Sequence, residues 1–334
     1  MSSNVIKTGL ASFGMSGRIF HAPFIDYNPD FELTVILERT KNISSQTYPN
    51  SKIVRSFEEL LDSDISLVII NTPSYLHFEM CKQALNAGKN VVVEKPFTST
   101  VKEAEELIKL AKAKQLLITV YHNKRLEGDV LTVKKIIEQK KIGDLKEITL
   151  QLRRYRPEPG PKKWKESNYP AAGLLYDIGA HFIDAYLYLF GTPKQIVSDL
   201  QVQRKNGVVN DFFDITFEYE GFKARMISDM LTDNPDYPTI IMKGSSGEFI
   251  KQGHDPQEQR LASGNWNWDT IGIDTADNHG VISIKEKKET IITEVGNYAL
   301  FYENLSEVIN SDGKLLISPE EGLEVIKLIE EISK

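Results

Sequence analysis

The chain has 334 residues, beyond the roughly 250–300 at which a single hydrophobic core stops growing, so two domains are expected. Its net charge is −7, with 41% hydrophobic and 26% charged residues, which excludes wholesale disorder and disfavours non-specific binding to nucleic acid or anionic membrane. The single cysteine, Cys81, excludes an intramolecular disulfide and fits a reducing compartment.

Residues Met1–Lys7 lack the basic region, apolar stretch and cleavage site of a signal peptide. The most apolar runs, Leu67–Ile70 and Leu116–Tyr121, fall far short of the ~20 residues that cross a bilayer. A soluble, cytoplasmic protein is expected.

In chain order, Val5–Ala11, Phe31–Leu37, Ile65–Asn71, Asn90–Glu94 and Leu116–Tyr121 are short, nearly continuous apolar runs, as strands buried on both faces should be. Between them, Tyr75–Ala87 and Val101–Lys114 carry apolar residues at helical spacing, and Gly88 stops the first. This alternation predicts a doubly wound parallel sheet, a Rossmann-type α/β domain over residues 1–123.

Past residue 123 the pattern changes. A helix at Val130–Lys140 is followed by strand-like Leu145–Tyr155, Gln195–Gln203, Phe212–Tyr219, Phe222–Ser228 and Thr239–Lys243, interrupted by helical spacing at Leu174–Phe190. Gly253–His279 is polar and rich in Gly, Asn and Asp, and is expected to be a long loop. Helices near Tyr298–Asn310 and Pro319–Ile332 close the chain. Residues 124–334 are therefore expected to form an α+β domain with a large, mostly antiparallel open sheet.

The first strand runs into Ser12-Phe13-Gly14-Met15-Ser16-Gly17. A dinucleotide fingerprint reads G-x-G-x-x-G; Gly14 and Gly17 supply its second and third glycines, and Ser12 takes the first place. A serine there must turn without positive φ. An ordinary βα turn is the alternative. Glu38 lies 21 residues past Gly17, where an acidic residue accepts the ribose 2′-hydroxyl of NAD. Arg39 and Lys41 beside it suit the 2′-phosphate of NADP. The pair points both ways, and a solvated strand end is the other reading.

Val91–Val93 ends in Glu94-Lys95-Pro96, at the strand edge where open α/β sheets bind ligands. Lys95 can donate to a substrate hydroxyl or be a solvated turn residue. Asp177 and His181 are four residues apart, on one helix face. A carboxylate so placed can orient an imidazole that takes or gives a proton. Three alternatives stay open: a helix cap at Asp177, a satisfied core histidine, or a metal held by Asp177, His181 and Asp184, although no second His/Cys cluster supports a metal site. The basic residues Arg153, Arg154, Arg156, Lys162, Lys163 and Lys165 alternate across a strand and form no continuous basic face, so nucleic-acid binding is not expected. Tyr155 and Trp164 are candidates to line a polyol pocket, with core packing as the alternative.

Together the glycine turn, Glu94-Lys95-Pro96 and the Gly173-x-x-x-Asp177-x-Gly179-x-His181 pattern resemble the Gfo/Idh/MocA family of NAD(P)-dependent oxidoreductases over essentially the whole chain. Phe20-His21-Ala22-Pro23, Tyr121-His122-Asn123 and Arg154-Tyr155-Arg156-Pro157-Glu158 are similar to strings of its NADP-dependent scyllo-inositol 2-dehydrogenase branch. The resemblance implies a catalytic set of Lys95, Asp177 and His181. Lys95 would hold the substrate oxygen, His181 would act as general base or acid, and Asp177 would orient His181 or bridge to Lys95. It also implies that Thr72-Pro73, Asn123, Glu94 and Lys95 lie near the cofactor. The same is implied for His77, whose alternative is a surface position at a helix start. The implied reaction is hydride transfer between nicotinamide C4 and a secondary alcohol of a polyol, inositol or sugar, with NADP slightly favoured over NAD, and the resemblance implies that residues 124–334 bind substrate and form a homodimer or higher homo-oligomer. A nicotinamide-binding sensor without turnover is the rival expectation. Ser12 and Lys124-Arg125-Leu126-Glu127-Gly128 depart from the family's usual strings, the latter from an Arg-Arg-Trp-Asp-like stretch.

Overall fold

The computed structural model describes residues 5–234, 236–311 and 313–334. They divide into two compact units, one of residues 1–122 with 298–327 and the other of 123–297 with 328–334.

The first unit is built on β1 (Ile6–Leu10), β2 (Phe31–Leu37), β3 (Lys52–Val54), β4 (Leu67–Ile70), β5 (Asn90–Glu94) and β6 (Ile118–Tyr121). They pair in the order β3-β2-β1-β4-β5-β6, parallel throughout. Val68, Ile69, Ile70 and Val91–Val93 are wholly buried, which is why these strands read as unbroken apolar runs. The edge strand β3 escaped the sequence reading because three residues with an exposed lysine carry no period. Chain order reverses between β1 and β4, the switch point where such sheets open a crevice.

Helices flank this sheet. Val101–Lys114 starts on a capping box, Thr100 with Glu103, and ends at Gln115 in the left-handed region. His77–Asn86 buries Cys81 completely, and burial pushes its thiol pKa up, as suits an inert core residue. The later helix Ala299–Ser311 returns to this unit on its aromatic residues. Tyr302 stacks on Phe24 with ring centres 5.9 Å apart, and Phe301 meets Tyr121 edge-on at 4.8 Å. A division at residue 123 alone does not include this return, because helical spacing does not say which sheet a helix will cover.

The second unit contains β7 (Leu145–Arg153), β8 (Gln195–Gln201), β9 (Phe212–Glu218), β10 (Lys223–Asp229), β11 (Pro238–Gly244), β12 (Glu248–Gln252), β13 (Gly280–Ile284) and β14 (Lys287–Ile291). The order is β14-β13-β12-β11-β7-β10-β9-β8; only β7 and β10 pair parallel. This is the mostly antiparallel open sheet expected. Its inward residues alternate, with Phe213, Ile215 and Phe217 fully buried on β9.

The expected long loop at 253–279 is corrected: it holds a helix, Gln257–Ser263, stopped by Gly264 at φ 72°. The strand β12 was also missed. Its Lys251 is buried, with Nζ 3.1 Å from Asp129 and 3.0 Å from Asp274. A lysine paired inside the fold breaks the hydropathy alternation that reveals a strand.

Candidate active-site residues

In the first unit, the turn after β1 is held by side-chain amides and hydroxyls. Asn71, just past β4, donates its Nδ2 to the Ser12 carbonyl at 2.7 Å and to Ser16 Oγ at 3.4 Å. Ser12 Oγ accepts the Gly14 N–H at 3.3 Å. Ser12 is absent from the residues with positive φ, so the serine makes the turn in ordinary backbone space and braces it with its hydroxyl. A Cβ on Gly17 would stand 2.3 Å from the Ser12 carbonyl oxygen, so only glycine lets the chain enter the following turn there. Gly14 and Met15 are exposed and Phe13 is half-buried against Tyr48, ring centres 5.9 Å apart. Gly17–His21 then forms a π-helical turn, a form common at functional sites, before the helix Ala22–Tyr27.

Glu38 is buried, not a solvated strand end, and its carboxylate accepts hydrogen bonds from Ile43 and Ser44. Arg39 beside it is exposed.

The turns after β4 and β5 are tied by His77, which is 1% exposed. Its Nδ1 lies 2.8 Å from the Pro96 carbonyl and its Nε2 3.1 Å from the Thr72 carbonyl. Burial pushes the His77 pKa down, against the pull of both carbonyls and of Glu94. His77 is therefore not at the surface; it joins the turn carrying Thr72-Pro73 to the turn carrying Lys95. Thr72, Pro73 and Lys95 themselves are half-buried. Glu94 Oε1 lies 3.0 Å from His21 Nε2, and His21 Nδ1 lies 2.6 Å from the Tyr302 hydroxyl. Burial pushes the Glu94 carboxyl up, but the His21 hydrogen bond and the charges of His21, Lys95 and His77 together hold it below its usual range. The turn, Asn71, Thr72, Glu94 and Lys95 thus lie along the C-terminal ends of β1, β4 and β5.

In the second unit, Asp177 lies in a second π-helical turn, Leu175–Gly179, and His181 in the helix Ala180–Phe190 that continues it. Asn210 anchors the entry: its carbonyl accepts Leu174 N–H and its Oδ1 accepts Leu175 N–H, both at 2.8 Å. Lys165 Nζ donates to Asp177 Oδ1 at 2.5 Å and lies 5.2 Å from the centre of the Trp164 ring. Trp164 is half-buried beneath that cation, whereas Tyr155 is 57% exposed. Asp184 is engaged by Arg125 through two bonds of 2.8 and 2.7 Å, which takes it out of any three-ligand set. Among the described residues no group of three or more His, Cys, Asp or Glu is placed to hold a metal ion. Asn123 is 5% exposed, in the short helical turn Asn123–Leu126.

Around Asp177 the second unit is crowded with cations. Burial pushes the Arg154 guanidinium pKa down and the Arg156 charge adds to this, against the pull of Asp177 and Glu258. Lys162 is lowered in the same way by burial and by Lys165. His254 is pushed down to about 4 by the surrounding protein and by Lys124, Arg154 and Lys251. Sequence reasoning did not assign Asn71, His21 or Lys165 to a site. The signal available for Asn71 was a polar residue closing an otherwise apolar strand run; for Lys165 there was none, since its partner is twelve residues away across a loop.

Two family models match the chain: the oxidoreductase family's NAD-binding Rossmann fold over residues 6–122 and its C-terminal alpha/beta domain over residues 134–334. The scyllo-inositol 2-dehydrogenase (NADP(+)) IolW of Bacillus subtilis is 35% identical over 98% of this chain and 92% of its own length. A solved Bacillus subtilis structure described as an oxidoreductase, yvaA, superposes with a TM-score of 0.93 at 34% identity, covering 100% of this chain and 96% of that one. One from Bacteroides fragilis, of the same description, gives 0.87 at 39% identity over 98% and 96%. The fold is thus shared over nearly the whole length of both chains, and the chain belongs to the Gfo/Idh/MocA oxidoreductase family.

Proposed function

We propose that this chain is a dehydrogenase or reductase that moves a hydride between nicotinamide C4 and a secondary alcohol or ketone of a polyol, inositol or sugar. A scyllo-inositol-type substrate and NADP are the favoured choices. The observation that carries the reading is the alignment of the glycine turn and Lys95 along one edge of a parallel sheet, at its switch point. Full-length similarity to a scyllo-inositol 2-dehydrogenase supports the substrate class, and exposed Arg39 and Lys41 support NADP.

The residues fit a dinucleotide. Gly17 leaves the space that close approach of strand and turn requires, and the exposed Gly14–Met15 backbone opens to an anion. Ser12, Phe13, Gly14, Met15, Ser16 and Gly17 would hold the pyrophosphate, with Thr72, Pro73, Glu94 and Asn123 toward the nicotinamide. When bound, the nicotinamide ring supplies the hydride acceptor or donor.

Lys95 would donate to the substrate oxygen and stabilise negative charge growing there. His181 would take the hydroxyl proton in oxidation and return it in reduction. Asp177 would orient the imidazole, with Lys165 fixing the carboxylate. Trp164 and the exposed Tyr155 would offer ring faces to the C–H faces of the polyol. The proposed location is the cytoplasm, and the proposed assembly is a homodimer, which the family resemblance implies.

The test is a panel of inositols, polyols and sugars followed by nicotinamide absorbance. His181→Ala should lower turnover by roughly 10²–10⁴-fold. Near-normal turnover would remove His181 from the chemistry. Lys95→Ala should lose activity while keeping dinucleotide binding; lost binding would make Lys95 a cofactor-positioning residue. An enzyme that binds the dinucleotide yet turns over no member of the panel would favour a sensor instead.

A further inference from the structure

Glu38 occupies the place, at the end of β2, where sheets of this kind put the acidic residue that accepts the ribose hydroxyls of NAD. Its carboxylate is already spent. Oε1 accepts the Ser44 N–H at 2.8 Å and the Ser44 hydroxyl at 2.5 Å, and Oε2 accepts the Ile43 N–H at 3.0 Å. The residue is 6% exposed and Ser44 is fully buried. Hydrogen bonds to a charged acceptor are the strong ones, and three of them fix one loop of seven residues from within.

Arg55 holds the same loop by its backbone. Its Nη1 donates to the Glu38 carbonyl at 2.6 Å and to the Lys41 carbonyl at 2.7 Å, and its Nη2 donates to Asn42 Oδ1. Burial pushes the Glu38 carboxyl up, but the Ser44 and Ile43 donors and the Arg55 charge together bring it below its usual range, so it stays ionised and compensated. Arg39, Thr40 and Lys41, by contrast, are exposed on this loop. Neither Arg39 nor Lys41 makes an ion pair among the described residues.

We propose that Glu38 is the internal brace of the 38–44 loop and not a ribose ligand, and that withdrawing its carboxylate while displaying Arg39 and Lys41 sets the chain's preference for a dinucleotide carrying a 2′-phosphate. The inference rests on the reading that the first unit binds a nicotinamide dinucleotide. A free carboxylate at this place accepts a 2′-hydroxyl and repels a 2′-phosphate. One turned inward onto three donors does neither, and leaves the choice to the cations. Glu38 is thus a positioning residue, acting on the cofactor through the loop it shapes.

The two roles predict opposite signs. Dissociation constants for NADPH and NADH are measured at low salt on the intact wild-type protein and on Glu38→Gln and Ser44→Ala, with thermal unfolding followed for each. As a brace, Glu38→Gln puts an amide against a backbone N–H, loosens the loop and weakens NADPH about tenfold, while NADH changes by less than about threefold. Ser44→Ala, which removes one donor and touches only the buried side of the loop, shifts the ratio the same way by a smaller factor. As a ribose ligand, Glu38→Gln would weaken NADH and tighten NADPH, and Ser44→Ala, by freeing the carboxylate, would leave NADH unchanged or tighter; that result overturns the proposal. Unchanged ratios in both folded variants also overturn it, while leaving the dehydrogenase reading intact. If the wild type binds neither dinucleotide, the functional reading falls and the brace with it.

Discussion

Glu38 and Glu94 in the first unit and Asp129 and Asp255 in the second are all carboxyl groups largely shielded from water, yet their pKa values move in opposite directions. Burial pushes all four up. Glu38 and Glu94 end below the usual value because Ser44, Ile43 and His21 donate to them and nearby cations add to the effect. Asp129 and Asp255 end at about 6 and about 7. Glu127 reinforces burial at both, Asp274 adds to it at Asp129 and Asp129 adds to it at Asp255, while Lys251 opposes it at Asp129. Neighbours therefore decide the sign where burial alone would not. The first unit's site region is set by hydrogen-bond donors held in place by the turns that carry them. The second gathers crowded carboxyls and depressed cations, an environment whose charge balance responds to pH in the range where an imidazole works.

The two π-helical turns divide in the same way. Gly17–His21 follows a turn bound by Asn71, Ser12 and Ser16, all neutral. Leu175–Gly179 carries Asp177, bound to Lys165. Geometry dominates at the first and charge at the second, so substitutions should separate them. The largest effect is expected at Gly17. Its added Cβ would meet a backbone oxygen at 2.3 Å and Asn71 Nδ2 at 2.9 Å, and neither is the free end of a flexible side chain. Forcing such a clash costs roughly 1–3 kcal/mol. Gly17→Ala should weaken dinucleotide binding by about tenfold or more, with little dependence on pH. Lost stability with unchanged binding would mean that the turn is only a packing feature.

Glu94→Gln tests the donors of the first unit. Glu94 has a folded pKa below its ordinary 4.5, so its stabilisation is present above that value and lost as pH falls through the folded one. The variant should be less stable than wild type by roughly 1–3 kcal/mol at neutral pH, and the gap should close in acid. Urea midpoints measured at neutral and acid pH check this; a constant gap would show that packing, and not the His21 contact, is what Glu94 contributes.

How far these regions were legible in the sequence follows from the same physics. The strands of the first unit stood out because burial on both faces demands unbroken Val and Ile, and β2 and β5 begin and end where the apolar runs do. Lys95 was legible because a proline fixes its turn at a strand end. The inward turn of Glu38 was not, since spacing places a carboxylate at β2's end without saying which donors it meets. Likewise Lys251 and Asp129 are 122 positions apart and Lys165 meets Asp177 across a loop, so no local period records them. His77 was identified by position, but its two carbonyl partners come from turns brought together only by the sheet.

The smallest effect is expected at Asp255, and its sign is the reverse of that at Glu94. Its oxygens accept Gly128 N–H at 2.8 Å and Gln257 N–H at 2.9 Å, yet burial and Glu127 raise its pKa from 3.8 to about 7. The folded state therefore binds a proton more tightly than the unfolded chain. The associated stability is full below about pH 4 and is lost as pH rises through about 7. Asp255→Asn keeps one acceptor and removes the titration. It should cost about 1 kcal/mol at low pH and approach or exceed wild type at pH above 7. Thermal midpoints across that window should fall for wild type and stay flatter for the variant. A decline of equal slope in both would assign the pH dependence to Asp129, whose pKa of about 6 lies in the same window and whose Oδ2 accepts the Asp255 N–H at 3.1 Å. The contrast between the units would then stand on one carboxyl in place of two.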